Sequence, residues 1–243
     1  MSPQTEGLRA LRLNWLSENH DEFLAGCKKG KMSPEQVLDR LVELELVEKT
    51  RRGTERRVKS AKLGTFKHIS EFDWAWPKKI DRDSLESALK GDFIEHCRNI
   101  ILAGAQGLGK TMIAKNIGHN AAINGKSTIF TSTSDMILSL KKEKSKLNLD
   151  RAFKKYVAPD LLIMDELGYL SYDCQAADLI FEVINRRYET GSIVISTNLA
   201  FKDWNTIFPS ASCLTAMIDR LTHHAEVLKI EGDSFRLRES MEK

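Results

Sequence analysis

Residues 104–111 constrain the fold of this chain more than any other stretch. They read Gly-Ala-Gln-Gly-Leu-Gly-Lys-Thr and match the pattern G-x-x-x-x-G-K-[ST], whose backbone cradles the phosphates of a nucleoside triphosphate. An apolar run of strand length, 99–103, precedes the loop. Residues 112–124 carry Ile113 and Ile117 on one helical face. A strand–loop–helix unit is therefore predicted, and this context argues against a glycine-rich turn that matches by chance.

The residue types of this loop suit phosphate binding. Glycines let the backbone approach a triphosphate closely, and the first N–H groups of the following helix attract anions. Lys110 can reach the β- and γ-phosphates, and the Thr111 hydroxyl can hold Mg²⁺. The predicted nucleotide-binding residues of the loop are Gly104, Ala105, Gln106, Gly107, Leu108, Gly109, Lys110, Thr111 and Met112.

Strand and helix patterns alternate along the second half of the chain. Apolar strands are predicted at 99–103, 127–131, 161–164, 193–197 and 226–230. Helices are predicted between them, including 112–124, 135–156 and 177–188. Near-continuous apolar strands separated by helices predict an α/β fold whose five-stranded parallel sheet is covered on both faces. Ligands of such sheets bind outside the carboxyl ends of the strands.

Polar residues follow two of these strands directly. Asp165 and Glu166 come after strand 161–164, and Asn198 comes after strand 193–197. Asp165 would hold the Mg²⁺ that bridges the phosphates, and Glu166 would act as general base on the attacking water. Asn198 could hydrogen-bond the γ-phosphate or the same water. The alternatives are two acids at a strand end that meets solvent and an asparagine in an ordinary turn.

The first 62 residues predict a small all-helical domain. A helix begins near Ser33, which is followed by Pro34 at the first helical position and by Gln36 to complete a capping box. The helix is expected to continue into the basic stretch unless Gly53 interrupts it. We expect this domain, residues 1–62, to contact DNA or a protein partner.

Residues 63–98 are rich in aromatic side chains and precede the nucleotide fold of residues 99–243. This stretch contains Phe66, Phe72, Trp74 and Trp76. The aromatic residues could cover the adenine base or pack between domains. We treat residues 63–98 as a linker and the start of the nucleotide-binding module.

The overall charge says little about partners, because Lys+Arg 37 against Asp+Glu 34 leaves a formal net charge of +3. The basic residues, however, cluster in 51–62 and 141–155. Such clusters can neutralise the phosphates of nucleic acid, although solvated helical faces have the same composition. The residues predicted to contact DNA are Arg51, Arg52, Arg56, Arg57, Lys59, Lys141, Lys142 and Lys144.

The remaining composition excludes several other classes. No apolar run approaches the roughly 18 residues that span a bilayer, and the start of the chain lacks the apolar stretch of a signal peptide. A cytoplasmic protein without membrane contact is expected. The four cysteines are far apart and predict free thiols. His223 and His224 are adjacent and would point apart on a helix, which favours a packing or surface role over metal binding.

Several motifs together resemble the IstB-like transposition helper ATPases, AAA+ proteins related to the DnaC-type helicase loaders. Besides the phosphate loop, the motifs are Asp-Glu-Leu-Gly-Tyr at 165–169, Arg-Tyr-Glu-Thr-Gly-Ser at 187–192, Ser-Thr-Asn at 196–198, Phe201 and Trp204, Ile-Asp-Arg-Leu-Thr-His-His at 218–224, and Gly-Asp-Ser-Phe-Arg-Leu at 232–237. The stretch from Phe72-Asp73 to Asp92-Phe93-Ile94 also fits. The resemblance covers about residues 5–240.

The resemblance implies an AAA+ core, a helical N-terminal domain and a C-terminal lid that is minimal or absent. It implies ATP as the nucleotide, Mg²⁺-dependent hydrolysis, ATP-dependent oligomers on duplex DNA without sequence preference, and assistance to a transposase in target selection. Arg220 matches the arginine finger that reaches a neighbouring subunit's γ-phosphate, although an ordinary surface arginine would look the same. Arg236 could be a second phosphate sensor.

Two other functions are compatible with a phosphate loop. A helicase-loader adaptor would act by binding a replicative helicase, and its ATP hydrolysis would serve only as a timer. A small-molecule kinase would need an acceptor-binding insertion, which the sequence does not show, and Ser-Thr-Asn at 196–198 argues against it. A transposition helper is the primary hypothesis, and the loader is its alternative.

Overall fold

The computed structural model of this chain describes residues 3–208 and 212–235. They belong to two compact units, Met1–Arg56 and Arg57–Lys243. The sequence places the domain boundary six residues later, after 62. The difference arises because the residues just after Arg56 pack into the second unit. The side chain of Ala61 is fully buried, and its carbonyl accepts a hydrogen bond of 2.8 Å from the Phe130 N–H.

Three helices account for the N-terminal unit. They are α1 Pro3–Ala10, α2 Asn14–Lys29 and α3 Pro34–Ser60, whose last residues belong to the second unit. The predicted capping box begins α3, since the Gln36 N–H donates to Ser33 Oγ at 3.3 Å and the Ser33 N–H donates to Gln36 Oε1 at 2.9 Å. Gly53 is buried and does not interrupt the helix.

A six-stranded sheet forms the centre of the second unit. Its strands are β1 Lys79–Ile80, β2 Asn99–Gly104, β3 Thr128–Ser132, β4 Leu161–Leu167, β5 Ser192–Thr197 and β6 Ala225–Glu231, in the order β1-β6-β2-β5-β4-β3. The five predicted strands are parallel to one another. The sixth strand, β1, pairs antiparallel with β6, so the prediction of a purely parallel five-stranded sheet missed one edge strand.

Helices cover both faces of this sheet. They are α4 Arg82–Lys90, α5 Lys110–Ile123, α6 Thr133–Lys141, α7 Lys146–Val157, α8 Cys174–Arg187 and α9 Leu214–Thr222. Residues 135–156 form two helices where the sequence predicted one, because Ser145 caps a new start by accepting from the Asn148 N–H at 3.2 Å. Separate hydrophobic clusters fill the two faces.

Two further expectations from the sequence concern membrane-spanning helices and the state of the cysteines. In the part that the structure describes, no helix is long and apolar enough to cross a membrane. No disulfide joins the four cysteines, all of which lie in the described residues, as the sequence predicts.

Candidate nucleotide-binding site

The phosphate loop joins the end of β2 at Gly104 to the start of α5 at Lys110. Gly107 and Gly109 have φ angles of 78° and 81°, in the left-handed region that side chains with a Cβ disfavour. A Cβ added to Gly107 would lie 2.2 Å from the Ser234 hydroxyl oxygen. The glycines of the motif therefore allow the tight turn of the phosphate loop, and Gly107 also allows the close approach of Ser234.

Lys110 holds its charge at the centre of the loop. The side chain is 5% exposed, and Nζ donates to the carbonyl oxygens of Gly104 and Ala105 at 2.7 Å each. A buried ammonium group that lies on carbonyls of its own loop is well placed to be shared with an anion at the start of α5.

Thr111 and Asp165 meet across the sheet edge. The Thr111 hydroxyl donates to Asp165 Oδ1 at 3.2 Å, and Asp165 is 4% exposed. Ser196 on the neighbouring strand β5 also donates its hydroxyl to Asp165 Oδ1. Hydroxyl and carboxylate oxygens are the ligands that Mg²⁺ prefers, so this pair has the chemistry of the predicted metal site.

Glu166 lies at an irregularity in β4. Met164 pairs with Ile195 and Leu167 pairs with Thr197, so residues 165 and 166 together face only Ser196 on β5. This bulge places Glu166 in the left-handed region, at φ 61°. Its side chain is exposed and lines the same cavity as Lys110 and Thr111. Asp165 is thus turned into the protein and Glu166 toward the cavity.

Asn198 follows β5 and is close to the loop after β4. Its Oδ1 atom is buried without a hydrogen-bond partner among the described residues. Asn198 lines a second cavity together with Gly104 and Ala105 of the phosphate loop. Because a buried amide without a partner is costly, this group suits a ligand or water at the carboxyl edge of the sheet.

The cavity beside the phosphate loop has a volume of about 310 Å³ and aromatic walls. Phe72 and Trp76 line it, as does Phe235, whose ring centre is 5.6 Å from that of Trp76. The Phe235 N–H donates to the Gly107 carbonyl at 3.1 Å. Phe72 and Trp76 therefore line this cavity and, like Trp74, also pack against the hydrophobic core, and contact with adenine stays a prediction.

Sequence reasoning missed several residues of this cavity. Tyr169 and Phe235 contribute side chains, although they follow the acidic pair and the last strand, respectively. Lys67 and Glu71 enter from the stretch before β1. The only sequence signal for Tyr169 was its membership of the Asp-Glu-Leu-Gly-Tyr motif.

Arg220 lies away from these cavities, on α9. Its guanidinium carbon is 5.1 Å from the centre of the Phe181 ring, and Nη1 donates to the Ala216 carbonyl at 3.3 Å. The side chain is half-buried and therefore accessible on one side. Its role toward a neighbouring subunit stays a prediction. Arg236, the other predicted phosphate sensor, lies outside the described residues.

The basic residues predicted to contact DNA fall into two groups. Arg51 pairs with Glu48 and Glu55, and Arg52 pairs with Glu48 and Glu18. Arg57 donates to the Ala122 carbonyl at 2.9 Å, and Lys141 pairs with Asp173 at 2.7 Å. The other four, Arg56, Lys59, Lys142 and Lys144, are exposed and form no salt bridge within the described chain.

The two adjacent histidines do not point apart as predicted. The ring centres of His223 and His224 are 4.0 Å apart, because α9 ends at Thr222 and both residues lie beyond its regular geometry. His223 Nδ1 is 2.8 Å from the Tyr188 hydroxyl, and His224 Nε2 is 3.8 Å from the Glu189 carboxylate. The cluster is exposed at the surface.

The fold resembles those of DnaI and of the replication initiator DnaA. The crystal structure of DnaI superposes with a TM-score of 0.54 at 16% identity, covering 69% of this chain and 89% of DnaI. A structure of the replication initiator DnaA bound to AMPPCP and single-stranded DNA gives a TM-score of 0.54 at 18% identity, covering 71% of this chain and 56% of DnaA. These likenesses show an AAA+ fold.

The sequence matches relatives over nearly its whole length. A protein of insertion sequence IS5376 from Geobacillus stearothermophilus is 36% identical, covering 94% of this chain and 91% of the relative. A protein of insertion sequence IS21 from Pseudomonas aeruginosa is 34% identical, covering 96% and 88%. Both are named as ATP-binding proteins, and the family model of the IstB-like ATP binding protein matches residues 6–243. The chain therefore belongs to the IstB-like ATP-binding family.

Proposed function

We propose that this protein hydrolyses ATP, assembles on duplex DNA in its ATP-bound form, and assists the transposase of its insertion sequence in choosing and using a target. The observation that carries the proposal is the arrangement at the carboxyl edge of the sheet. Lys110, Thr111 and Glu166 line one cavity, and Asp165 contacts Thr111 there. Membership of an insertion-sequence family supports the biological context.

The chain's own residues divide the chemistry of hydrolysis among them. The phosphate loop and Lys110 bind the phosphate chain, and Phe72 and Trp76 flank the base. Thr111 and Asp165 would hold Mg²⁺, which when bound supplies positive charge that neutralises the phosphates. Glu166 accepts the proton of the attacking water, because its carboxylate is exposed to the cavity.

Two further residues complete this proposal. Asn198 donates its Nδ2 amide to the γ-phosphate, or its buried Oδ1, which has no partner among the described residues, accepts a hydrogen bond from the attacking water and orients it. Arg220 acts in a neighbouring subunit's site, because in its own subunit it contacts Phe181 and lies away from the phosphate loop. A site completed by a neighbour couples hydrolysis to assembly.

Binding to DNA would depend on phosphate contacts. Arg56, Lys59, Lys142 and Lys144 are exposed, so they can neutralise DNA phosphates without first losing an ion pair. Arg51, Arg52 and Lys141 would have to exchange a carboxylate for a phosphate. Contacts of this kind predict little sequence preference and a steep dependence of affinity on salt.

Sedimentation of the purified chain with duplex DNA of a few tens of base pairs tests this function. We expect a large complex with a non-hydrolysable ATP analogue, a small species with ADP, and no large complex for Lys110→Ala with either nucleotide. A wild-type protein that stays small with duplex and the ATP analogue would contradict the proposal. Stable capture of a replicative helicase ring by such a protein would instead support a helicase loader.

An Arg220→Ala protein tests the contribution from a neighbouring subunit. The variant should bind ATP as the wild-type monomer does, and it should lose turnover only in the DNA-bound assembly. Equal turnover of variant and wild type in that assembly would remove Arg220 from the site.

A further inference from the structure

The peptide group between Asp165 and Glu166 lies at the bulge, where Asp165 still pairs with Ser132 of β3 but the pairing with β5 is irregular. On the β5 side, the bulge leaves both residues opposite Ser196 alone. The regular ladder therefore does not supply a backbone partner from β5 for the Glu166 N–H. A buried peptide group without partners would be free to rotate, and such a rotation would move the carboxylates of both acids.

Two side-chain hydroxyls hold this peptide group from opposite sides. The Thr133 hydroxyl donates to the Asp165 carbonyl at 3.0 Å, and the Ser196 hydroxyl oxygen accepts from the Glu166 N–H at 2.9 Å. Thr133 is fully buried and Ser196 is 1% exposed. Thr133 comes from the start of α6 and Ser196 from β5, so the clamp joins three elements.

Ser196 makes a second contact that links the two acids. While its oxygen accepts from the Glu166 N–H, its hydroxyl proton is donated to Asp165 Oδ1, the atom that also accepts from Thr111. One hydroxyl therefore orients both the carboxylate that would hold the metal and the backbone of the residue that would act as base. A hydroxyl that only filled a gap in the core would not need to bridge these two groups.

We propose that Ser196 and Thr133 are positioning residues for ATP hydrolysis, acting through the Asp165–Glu166 peptide and, for Ser196, through the Asp165 carboxylate. The inference rests on the proposed hydrolytic function of this site. Ser196 sets the direction of the Glu166 side chain and keeps an Asp165 oxygen directed at Thr111. Thr133 keeps the same peptide from turning over.

The test for Ser196 compares Ser196→Ala with Ser192→Ala in the full chain. Ser192 is a matched control because it lies on the same strand, is fully buried, and among the described residues donates its hydroxyl to the Phe93 carbonyl alone, at 3.4 Å. ATP turnover, its Mg²⁺ dependence, binding of a fluorescent ATP analogue without Mg²⁺, and thermal unfolding are measured for both variants.

We expect Ser196→Ala to lower turnover by roughly 10- to 100-fold, the loss usual when the support of a metal-ligating carboxylate is removed. It should also raise the Mg²⁺ concentration for half-maximal turnover, while nucleotide binding without Mg²⁺ matches the wild type. Ser192→Ala should lower only the unfolding temperature. Equal turnover of the two variants would overturn the proposal for Ser196.

Thr133 is tested with a pair of variants that separates its hydroxyl from its methyl group. Thr133→Val removes the hydroxyl at nearly constant volume and should lower turnover, whereas Thr133→Ser keeps the hydroxyl and should recover most of it. Loss of turnover in both variants alike would assign the effect to packing and would overturn the role of the Thr133 hydroxyl.

ATP hydrolysis by the wild type and the Mg²⁺ dependence of analogue binding test the proposed function and the role of Ser196 separately. If the wild-type chain bound the ATP analogue but hydrolysed no ATP, hydrolysis as the function would be wrong. The Mg²⁺ dependence of analogue binding would then decide the role of Ser196. An identical Mg²⁺ dependence in wild type and Ser196→Ala would overturn it, and a weakened dependence in the variant alone would support it.

Discussion

Two polar clusters lie at opposite ends of strands β4 and β5 and differ in how their hydrogen bonds are satisfied. At the amino ends, Arg187 is fully buried, and its Nη atoms donate to five backbone carbonyls. At the carboxyl ends, Asn198 Oδ1 has no partner among the residues that the structure describes, and Glu166 is exposed to a cavity. The first end is closed by the protein itself, and the second leaves polar groups available to a ligand.

The Arg187 cluster shows what a closed end needs. The five carbonyls belong to Tyr156, Val157, Pro159, Asp160 and Ser192, and only Nε of the guanidinium lacks a partner among the described residues. Burial lowers the pKa of Arg187 to about 10, so the group remains charged at neutral pH. We therefore expect the hydrogen bonds at this end of the strands to matter for stability, and the other end to matter for ATP hydrolysis.

Glu166→Gln, at the carboxyl ends of the strands, should have the largest effect on turnover and none on stability. We expect ATP binding and the unfolding temperature of the wild type, with turnover lower by roughly 10²- to 10⁴-fold, because the amide cannot accept the proton of the attacking water. Steady-state hydrolysis and analogue binding would be measured with duplex DNA present. Normal turnover in this variant would remove Glu166 as the base.

Arg187→Met, at the amino ends of the strands, should instead lower the stability of the protein. The loss of five hydrogen bonds leaves buried carbonyls unsatisfied and should cost at least about 3 kcal/mol in the free energy of unfolding, measured by chemical denaturation. Arg186→Met is the control, since Arg186 is partly exposed in salt bridges with Glu182 and Asp150 and its loss should cost less than about 1 kcal/mol. Equal costs for the two variants would contradict the assignment of stability to this cluster.

Lys110→Ala tests how much the phosphate loop, at the carboxyl ends of the strands, contributes to ATP affinity. We expect ATP to bind more weakly by about 2–3 kcal/mol, the contribution of a charge-assisted hydrogen bond, or roughly 30- to 150-fold. Lys115→Ala is the control on the next turn of α5, where the ammonium donates to the Thr65 carbonyl at 2.8 Å. An unchanged ATP affinity in Lys110→Ala would refute the loop assignment.

The smallest effect concerns the N-terminal unit, which has a polar cluster of its own. Hydrogen bonds from Arg51 and then Arg52 lower the pKa of Glu48 from 4.5 to about 2. The carboxylate therefore contributes stability above pH 4.5 that is lost as the pH falls toward 2. We expect less than about 1 kcal/mol, because both arginines are partly exposed to solvent.

Hydrogen exchange of the α2 and α3 amides between pH 4.5 and 2 would measure this loss. Glu48→Gln should show weaker protection than the wild type at pH 4.5 and less change on acidification. Glu22→Gln, which alters an exposed acid of α2, should behave as the wild type does. The same acid response in Glu48→Gln and in the wild type would show that this carboxylate does not carry the effect.

The sequence predicted the parts of the site that depend on local patterns. The phosphate loop and the five parallel strands follow from motif and hydrophobic periodicity, and strand ends that share one edge bring Asp165 near Thr111. The two-residue strand β1 was missed because it is too short for a pattern. The bulge at Glu166 was missed because it depends on register between strands. The sequence showed Arg187 only as part of the motif at 187–192, not as a buried cluster. Gly191 of the same motif leaves room for it, since a Cβ there would lie 2.7 Å from the Arg187 guanidinium.

The extra residue in β4 changes the parity of the strand. Leu162 and Met164 contribute to the core on one face of the sheet, as alternation requires. Leu167 joins the same core although it is three positions beyond Met164, an odd spacing that would place it on the other face of a regular strand. Removing one residue between them would restore the regular spacing of two, which keeps Leu167 on the same face but abolishes the bulge that carries Glu166. The number of residues here, as much as their identity, determines which side of the sheet receives Glu166.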